Sequence, residues 1–138
     1  MKVVILDTGP LLAWLCPRDQ YHGWAQTAFA NMAPGSLVCE AVITEVCHLA
    51  AKEHIARADV LRFVKRLRLK PVALSDEFEA VEKLLASYSD APMDFADACV
   101  VRLAEMNRGL KVCTVDGQFR FFRKNGTESI SLIAPFTS

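Results

Sequence analysis

The sequence lacks a long apolar run, an excess of charge of either sign and a paired cysteine motif. Its apolar stretches fall short of the roughly 20 residues that a membrane-spanning helix needs. Lys plus Arg and Asp plus Glu both number 16 among 138 residues, so overall charge does not indicate nucleic-acid binding. Five cysteines without CxxC spacing favour small buried side chains in a reducing compartment over disulfides or zinc sites. We therefore expect a cytoplasmic protein without membrane contact.

The composition and length are those of an ordinary globular domain, with 52% apolar and 23% charged residues, and we expect a single domain over residues 1–138. Short β-branched runs alternate with longer helical patterns, which predicts an α/β sandwich with a largely parallel sheet. The predicted strands are Val3–Leu6, Leu37–Cys39, Val72–Leu74, Val112–Val115 and Ile130–Ile133. The predicted helices span about residues 20–32, 41–54, 56–69, 76–88 and 95–108. Pro71 is expected to end the helix before the third strand.

Acidic residues follow or flank these strands at positions that a parallel sheet would bring to one edge. Asp7 directly follows the first strand, and Asp116 directly follows the fourth. Glu45 lies early in the helix after the second strand, between apolar neighbours. Asp94 and Asp97 share one face at the start of the last helix. Because function in parallel α/β sheets lies beyond the carboxyl ends of the strands, we expect these acids to converge there.

Each acid also has a purely structural interpretation. Asp7 and Asp94 could cap a turn or a helix, and Asp97 could face the dipole of the helix that it begins. Asp116 could be a turn residue, and Glu45 could be an ion-paired helix residue. Separate structural acids have no reason to meet at one sheet edge, so convergence is the feature that distinguishes the two interpretations.

Converging carboxylates imply a bound cation or bound protons. Two unit charges about 4 Å apart repel by roughly 4 kcal/mol at an effective dielectric constant near 20. The group therefore takes up protons or binds a cation. Ligand sets made entirely of oxygen favour Mg²⁺ or Mn²⁺ over Zn²⁺. Such an ion binds phosphate oxygens and activates water, which is the chemistry of phosphodiester hydrolysis.

The same segments resemble the PIN-domain nucleases, and most of all the VapC toxins of bacterial toxin–antitoxin pairs. The resemblance is carried by Val4–Thr8, Glu45, Asp94–Ala98 and Thr114–Asp116, and it extends from Val3 to about Arg123. It implies a three-layer sandwich whose central sheet has about five strands in the order 3-2-1-4-5. It also implies Mg²⁺-dependent endoribonuclease activity on RNA, a homodimer and a cognate antitoxin protein.

The resemblance further implies roles for individual residues. The residues that match the family's catalytic and metal-holding acidic quartet are Asp7, Glu45, Asp97 and Asp116. Asp94 matches an additional acid found in part of the family, and Thr8 and Thr114 match supporting hydroxyl positions. The turn from Asp116 to Phe119 departs from the many relatives that carry basic residues after the acid.

A basic segment accompanies the last of these acids. Residues 102–124 hold six basic residues against two acids, and Arg120, Arg123 and Lys124 are therefore candidate RNA contacts. Phe119 and Phe122 stand three residues apart and are expected to pack inward, although aromatic rings in this segment could instead stack on bases.

Two other functions fit parts of the sequence. Asp7-Thr8-Gly9 matches the aspartic-protease triplet, but that fold is almost wholly β, whereas this chain is rich in predicted helix. A catalytically silent PIN-like module that binds RNA or a protein is the second alternative, and the intact acidic quartet argues against it. His48 and His54 are interpreted as surface or interface residues.

Overall fold

A computed structural model describes residues 1–137. The α-helices are α1 (Thr8–Leu15), α2 (His22–Ala30), α3 (Glu40–Lys52), α4 (Arg57–Arg66), α5 (Phe78–Ser87) and α6 (Phe95–Met106). The strands are β1 (Ile5–Leu6), β2 (Leu37–Cys39), β3 (Lys70–Val72), β4 (Val112–Cys113), β5 (Arg123–Lys124), β6 (Glu128–Ser129) and β7 (Leu132–Ile133). Short 3-10 helices cover Ser75–Glu77 and Gly117–Arg120. No helix within residues 1–137 combines the length and hydropathy needed to cross a membrane.

Five strands form one parallel sheet in the order β3-β2-β1-β4-β7, and helices flank it. The central strand β1 pairs with β2 on one side and with β4 on the other. This arrangement confirms the predicted α/β fold and, when the strands of this sheet are numbered alone, the order 3-2-1-4-5. Strands β5 and β6 form a separate antiparallel hairpin that the sequence analysis did not predict.

The central strands are fully buried, which sets where polar residues can lie. Ile5, Leu6, Val38 and Val112 have exposed fractions of zero. Continuous apolar runs of this kind are typical of parallel strands covered on both faces. The polar residues that follow β1 and β4 therefore come where the apolar core ends, at the carboxyl edge of the sheet.

Helix α1 lies in a segment for which no helix was predicted. The pair Gly9-Pro10 is typical of a turn, yet Pro10 is the third residue of α1 and is buried. Proline is tolerated in the first turn of a helix because the amide groups there have no intrahelical acceptor. Asp7 is the N-cap residue of this helix, but its side chain makes no capping hydrogen bond.

The third strand lies two residues earlier than predicted. It spans Lys70–Val72 instead of Val72–Leu74, and Pro71 pairs with Val38 of β2. A proline fits here because β3 is an edge strand, where a missing amide hydrogen removes no ladder bond on the open side. Helix α4 already ends at Arg66, so the prediction that Pro71 ends that helix was wrong.

Gly9, near the start of α1, lies close to Val115, which follows β4. A Cβ atom added at Gly9 would lie 2.3 Å from Cγ2 of Val115. Val115 stands between Thr114 and Asp116, so this contact controls how closely α1 approaches the segment that carries both residues. A side chain at position 9 would push these two parts of the carboxyl edge apart.

We predict that Gly9→Ala lowers the free energy of unfolding by about 1–3 kcal/mol, the usual effect of overpacking. To relieve the overlap, the β-branched Val115 side chain, which is stiff at χ1, or the nearby backbone has to shift. Urea denaturation measures the change. Gly23→Ala is the matched control, because Gly23 is also the second residue of its helix and has nothing within 4 Å of an added Cβ. The control should stabilise slightly, and equal effects in both variants would contradict the prediction.

Candidate active site

Asp7 is a buried carboxyl group at the end of the central strand. Its exposed fraction is 4%, and its Oδ2 accepts a hydrogen bond from Oγ1 of Thr114 at 2.7 Å. Thr114 follows β4 and is completely buried. The same Oγ1 accepts a hydrogen bond from the backbone N–H of Asp116 at 2.9 Å. This hydrogen-bonded chain joins the ends of β1 and β4.

Glu45 reaches the same region from helix α3. It is half-buried, and its Oε1 accepts a hydrogen bond from Oγ1 of Thr8, the first residue of α1. Burial raises the pKa of Glu45 above its usual value, and the Thr8 hydrogen bond opposes that rise. The neighbouring negative charge of Asp94 raises the pKa further. Glu45 therefore contacts α1 through Thr8 and is repelled by the negative charge of Asp94 at the start of α6.

Asp94 and Asp97 form a capping box at the start of α6. Oδ1 of Asp94 accepts a hydrogen bond from the amide of Asp97 at 2.8 Å, and Oδ2 of Asp97 accepts one from the amide of Asp94 at 3.1 Å. Asp94 is exposed, whereas Asp97 has an exposed fraction of 9%. The helix-capping interpretation therefore describes real contacts of both residues. It does not explain why Asp97 is buried, because a capping residue can remain exposed.

Asp116 likewise has a local structural contact. It is half-buried and is the N-cap of the 3-10 helix Gly117–Arg120, with its Oδ1 accepting a hydrogen bond from the amide of Gln118 at 2.9 Å. The turn interpretation accounts for this oxygen. It does not account for the effect of Asp116 on the pKa values of Asp7 and Asp97.

Burial and mutual repulsion disfavour ionisation of the two buried acids. Burial raises the pKa of Asp7 from 3.8 to about 6, against the hydrogen bond from Thr114, while the charges of Asp116 and Glu45 add to the rise. Burial also raises the pKa of Asp97 to about 8. Its hydrogen bond with the Asp94 backbone opposes that rise, and the charges of Asp94, Asp7 and Asp116 add to it.

The structure therefore brings together acids from four distant segments at the carboxyl edge of the sheet. We call this group the carboxylate cluster: Asp7, Glu45, Asp94, Asp97 and Asp116. The two threonines expected to support it, Thr8 and Thr114, both donate hydrogen bonds to its members. Carboxyl groups are thus concentrated in one small region of the molecule.

A groove of about 470 Å³ opens beside the carboxylate cluster. Its walls include Thr44, Glu45, His48, Asp94 and Phe95. His48 was predicted to be a surface or interface residue, and no sequence pattern was used to place it beside the acids. Its position three residues after Glu45 on α3 was the available signal, because residues at that spacing share a helix face.

A second cavity, of about 480 Å³, lies away from these acids. Its lining includes Lys2, Trp24, Met32 and Lys111 but none of the acidic residues among positions 1–137. The cavity therefore does not belong to the candidate active site, although its size is similar.

The donor chemistry of the carboxylate cluster fits a hard divalent cation. Carboxylate oxygens from several elements converge, and hydroxyl groups of threonine support them, with no sulfur or imidazole required. Within residues 1–137, no group of three or more His, Cys, Asp or Glu side chains is arranged so that it could hold a metal ion as it stands.

The basic residues after Asp116 differ in their accessibility. Phe119 and Phe122 have exposed fractions of 0% and 1%, which confirms that they pack inward. Arg123 is half-buried, and its Nη1 donates hydrogen bonds to the carbonyls of Arg120 and Phe122. Lys124 is half-buried in β5, whereas Arg120 is exposed. Among the three candidate RNA contacts, Arg120 is the most accessible.

The chain matches one protein-family model and is similar in fold to solved structures of other proteins. A model of the PIN domain matches residues 4–125. VapC20 from Mycobacterium tuberculosis, described as a toxin that cleaves the sarcin–ricin loop, is 22% identical with a TM-score of 0.72, covering 83% of this chain and 90% of that one. A toxin–antitoxin complex from Klebsiella pneumoniae gives 19% identity and a TM-score of 0.64, covering 98% of this chain and 99% of that one. At these identities the likeness concerns the fold. No match was found among curated proteins.

We predict that the metal-free protein loses stability as the pH rises from about 4 to above 6. Asp7 ionises near pH 3.8 in the unfolded chain but near pH 6 in the fold, so unfolding releases a proton between these values. The buried Asp97 acts in the same direction, up to about pH 8. Urea denaturation in EDTA across this range measures the loss, to which Asp7 contributes at most about 3 kcal/mol.

The variant Asp7→Asn provides the control for this prediction. An asparagine keeps an acceptor for Thr114 but carries no charge, so the variant should be more stable than the wild type at pH 7.5 and similar at pH 4. Asp90→Asn removes an exposed acid outside the carboxylate cluster and should leave the pH profile unchanged. A wild-type profile that is flat between pH 4 and 7 would contradict the cause given for the raised pKa of Asp7.

Proposed function

The chain belongs to the PIN domain family, and from this premise we propose that it is an endoribonuclease that hydrolyses phosphodiester bonds of RNA. The observation that carries the proposal is the carboxylate cluster, in which acids from distant segments lie at the carboxyl edge of the sheet. Burial, aided by neighbouring negative charges, raises the pKa values of Asp7, Glu45 and Asp97. Groups with strongly perturbed pKa values are concentrated at functional sites. A phosphodiester is a fitting substrate because its hydrolysis uses the cation that such a cluster attracts.

We propose that the activity depends on Mg²⁺ or Mn²⁺, since PIN nucleases generally use divalent metal ions. The residues that would hold the ion are Asp7, Glu45, Asp97 and Asp116. When bound, the ion supplies charge neutralisation, activation of water and polarisation of the phosphate. Asp94, exposed beside Glu45, would adjust the charge of the site.

The threonine hydroxyls would prepare the carboxylates for this task. Thr114 donates to Asp7, and Thr8 donates to Glu45, so both acids are restrained before any ligand arrives. A hydroxyl donor carries no net charge, and it therefore orients a carboxylate without cancelling the negative charge that attracts a cation. An arginine or lysine in the same place would orient the acid but compete with the metal ion.

We also propose that the protein is the toxin of a type II toxin–antitoxin pair and binds a cognate antitoxin protein. The support comes from two proteins of the same fold, one described as a toxin and the other as a toxin–antitoxin complex. A homodimer, which rests on the family resemblance, and a cytoplasmic location, which rests on five cysteines without CxxC spacing, complete the proposal.

A catalytically silent module that binds RNA or a protein is the second candidate. It is favoured by one observation: oxygens of Asp94, Asp97 and Asp116 already accept hydrogen bonds from backbone amides. Such contacts would also form if the acids served the fold alone. The burial of Asp7 argues for the nuclease, because a structural role gives no reason to retain a charge there at a cost in stability.

We predict that the purified protein cleaves single-stranded RNA in the presence of Mn²⁺ or Mg²⁺ and that EDTA abolishes the cleavage. Asp7→Asn should lower the rate on the order of 10²-fold or more, since small displacements of the reacting groups already have that effect. Gel analysis of a labelled RNA measures the rate. Asp90→Asn is the matched control and should keep full activity. Binding of RNA without cleavage under every metal condition would favour the silent module.

We further predict that Mn²⁺ raises the melting temperature of the wild type, independently of any RNA. A ligand that binds only the fold stabilises it by about 2.7 kcal/mol at a concentration of 100 times its Kd. Differential scanning calorimetry with and without Mn²⁺ measures the shift. Asp7→Asn should reduce the shift, while Asp90→Asn should not. An equal shift in all three proteins would mean that the ion binds elsewhere.

A further inference from the structure

Phe121 stands out in the segment after Asp116 because its ring lies in solvent. Its exposed fraction is 62%, whereas those of Phe119 and Phe122 are 0% and 1%. The two buried rings pack against each other edge to face at 5.1 Å, and Phe122 also packs against Tyr88. The hydrophobic effect thus accounts for the positions of its neighbours, whereas the exposed Phe121 ring contributes little to the stability of the fold.

Arg120 lies beside this exposed ring and is held in place. Its guanidinium carbon is 5.5 Å from the centroid of the Phe121 ring and 5.1 Å from that of Phe136. Its Nε donates a hydrogen bond to the carbonyl of Gly117 at 3.0 Å. No Asp or Glu within residues 1–137 forms an ion pair with Arg120. The exposed Arg120 guanidinium therefore makes cation–π contacts with two aromatic rings.

Arg123 does not offer the same surface. Its Nη1 donates to two backbone carbonyls, and its own amide donates to the hydroxyl of Tyr88 at 2.8 Å. These contacts stabilise the turn that leads into the β5–β6 hairpin. Arg120, with Phe121 beside it, is therefore the more accessible of the two arginines in this turn.

The pair lies close to the carboxylate cluster along the chain. Asp116 is the N-cap and Phe121 the C-cap of the four-residue 3-10 helix. Such a helix is roughly 8 Å long at about 2 Å per residue. A nucleic-acid strand with one phosphate at the cluster could therefore place a neighbouring nucleotide at Phe121.

We propose that Phe121, backed by Arg120, is a stacking platform for one unpaired base of the RNA next to the cleaved phosphate. Aromatic rings bind bases in a sequence-tolerant way, and an adjacent arginine favours the phosphate backbone. Bases present their faces when they are unpaired, so the substrate is single-stranded RNA or a loop. The inference rests on the proposed function, because it assumes that RNA lies at the carboxylate cluster.

The test measures binding separately from cleavage. Fluorescence anisotropy of a labelled single-stranded RNA in EDTA at low ionic strength reports the Kd of the wild type and of Phe121→Ala. Loss of one stacked base should raise the Kd about 5- to 150-fold. Phe121→Trp should retain the affinity. RNA should quench the fluorescence of this variant more than that of the wild type, because the added indole stacks on a base.

Two controls separate stacking from other effects. Met106→Ala removes an exposed apolar side chain at the far end of α6 and should leave the Kd unchanged. An RNA with abasic sites should bind the wild type and Phe121→Ala with the same low affinity, because the ring then has no base to stack on. Thermal denaturation checks that each variant is folded.

The possible outcomes are distinguishable. Equal Kd values for the wild type and Phe121→Ala would overturn the stacking proposal, while cleavage by both would leave the nuclease intact. Binding that depends on Phe121 without cleavage in Mn²⁺ would preserve the stacking site and overturn the nuclease. Failure of the wild type to bind RNA in EDTA would overturn the stacking proposal, while the cleavage assay in Mn²⁺ decides the nuclease proposal separately. A change of oligomeric mass in Phe121→Ala, without a change of Kd, would assign the ring to an interface between copies.

Discussion

The burial of Asp7 at the end of the central strand is the constraint on which the candidate active site depends. Burial raises the pKa of this carboxyl group to about 6, so its charged form is disfavoured near neutral pH. The fold limits the penalty with a hydrogen bond from Thr114, whose oxygen in turn accepts from the amide of Asp116. This chain of contacts connects the two strands that lie side by side at the centre of the sheet. An arrangement that lowers stability unless a proton or cation is present is typical of a functional site.

The structural and functional interpretations of the acids turn out to overlap. Asp94 and Asp97 form a capping box, and Asp116 caps a 3-10 helix, while the same residues repel one another's charges. Both follow from one geometry, because helices that begin at the carboxyl edge of a parallel sheet direct their amides and first side chains there. The amide hydrogen bonds hold the carboxylates without cancelling their charge. A capping contact is therefore not evidence against a catalytic role at this edge.

Much of the fold could be predicted because its signals are local. Apolar runs separated by helical periodicity predicted the parallel sheet, and the positions of acids after strands predicted their meeting at one edge. The errors arose where tertiary context overrides a local signal. Gly9-Pro10 is typical of a turn, yet contact with Val115 and burial of Pro10 allow a helix. Pro71 is tolerated inside β3 because that strand lies at the sheet edge. The β5–β6 hairpin consists of two-residue strands of charged and polar residues, so it produces no apolar pattern.

The sequence by itself determined the order of the elements and which acids stand at strand ends, since periodicity and position along the chain are properties of neighbouring residues. The tertiary structure decided which side chains of one segment are available to a ligand. Arg120 and Arg123 are equivalent in the sequence, but contacts with the Tyr88 hydroxyl and backbone carbonyls immobilise the second. Phe121 is exposed because Phe119 and Phe122 fill the core beneath it. Such choices depend on packing between residues far apart in the chain, which no local pattern records.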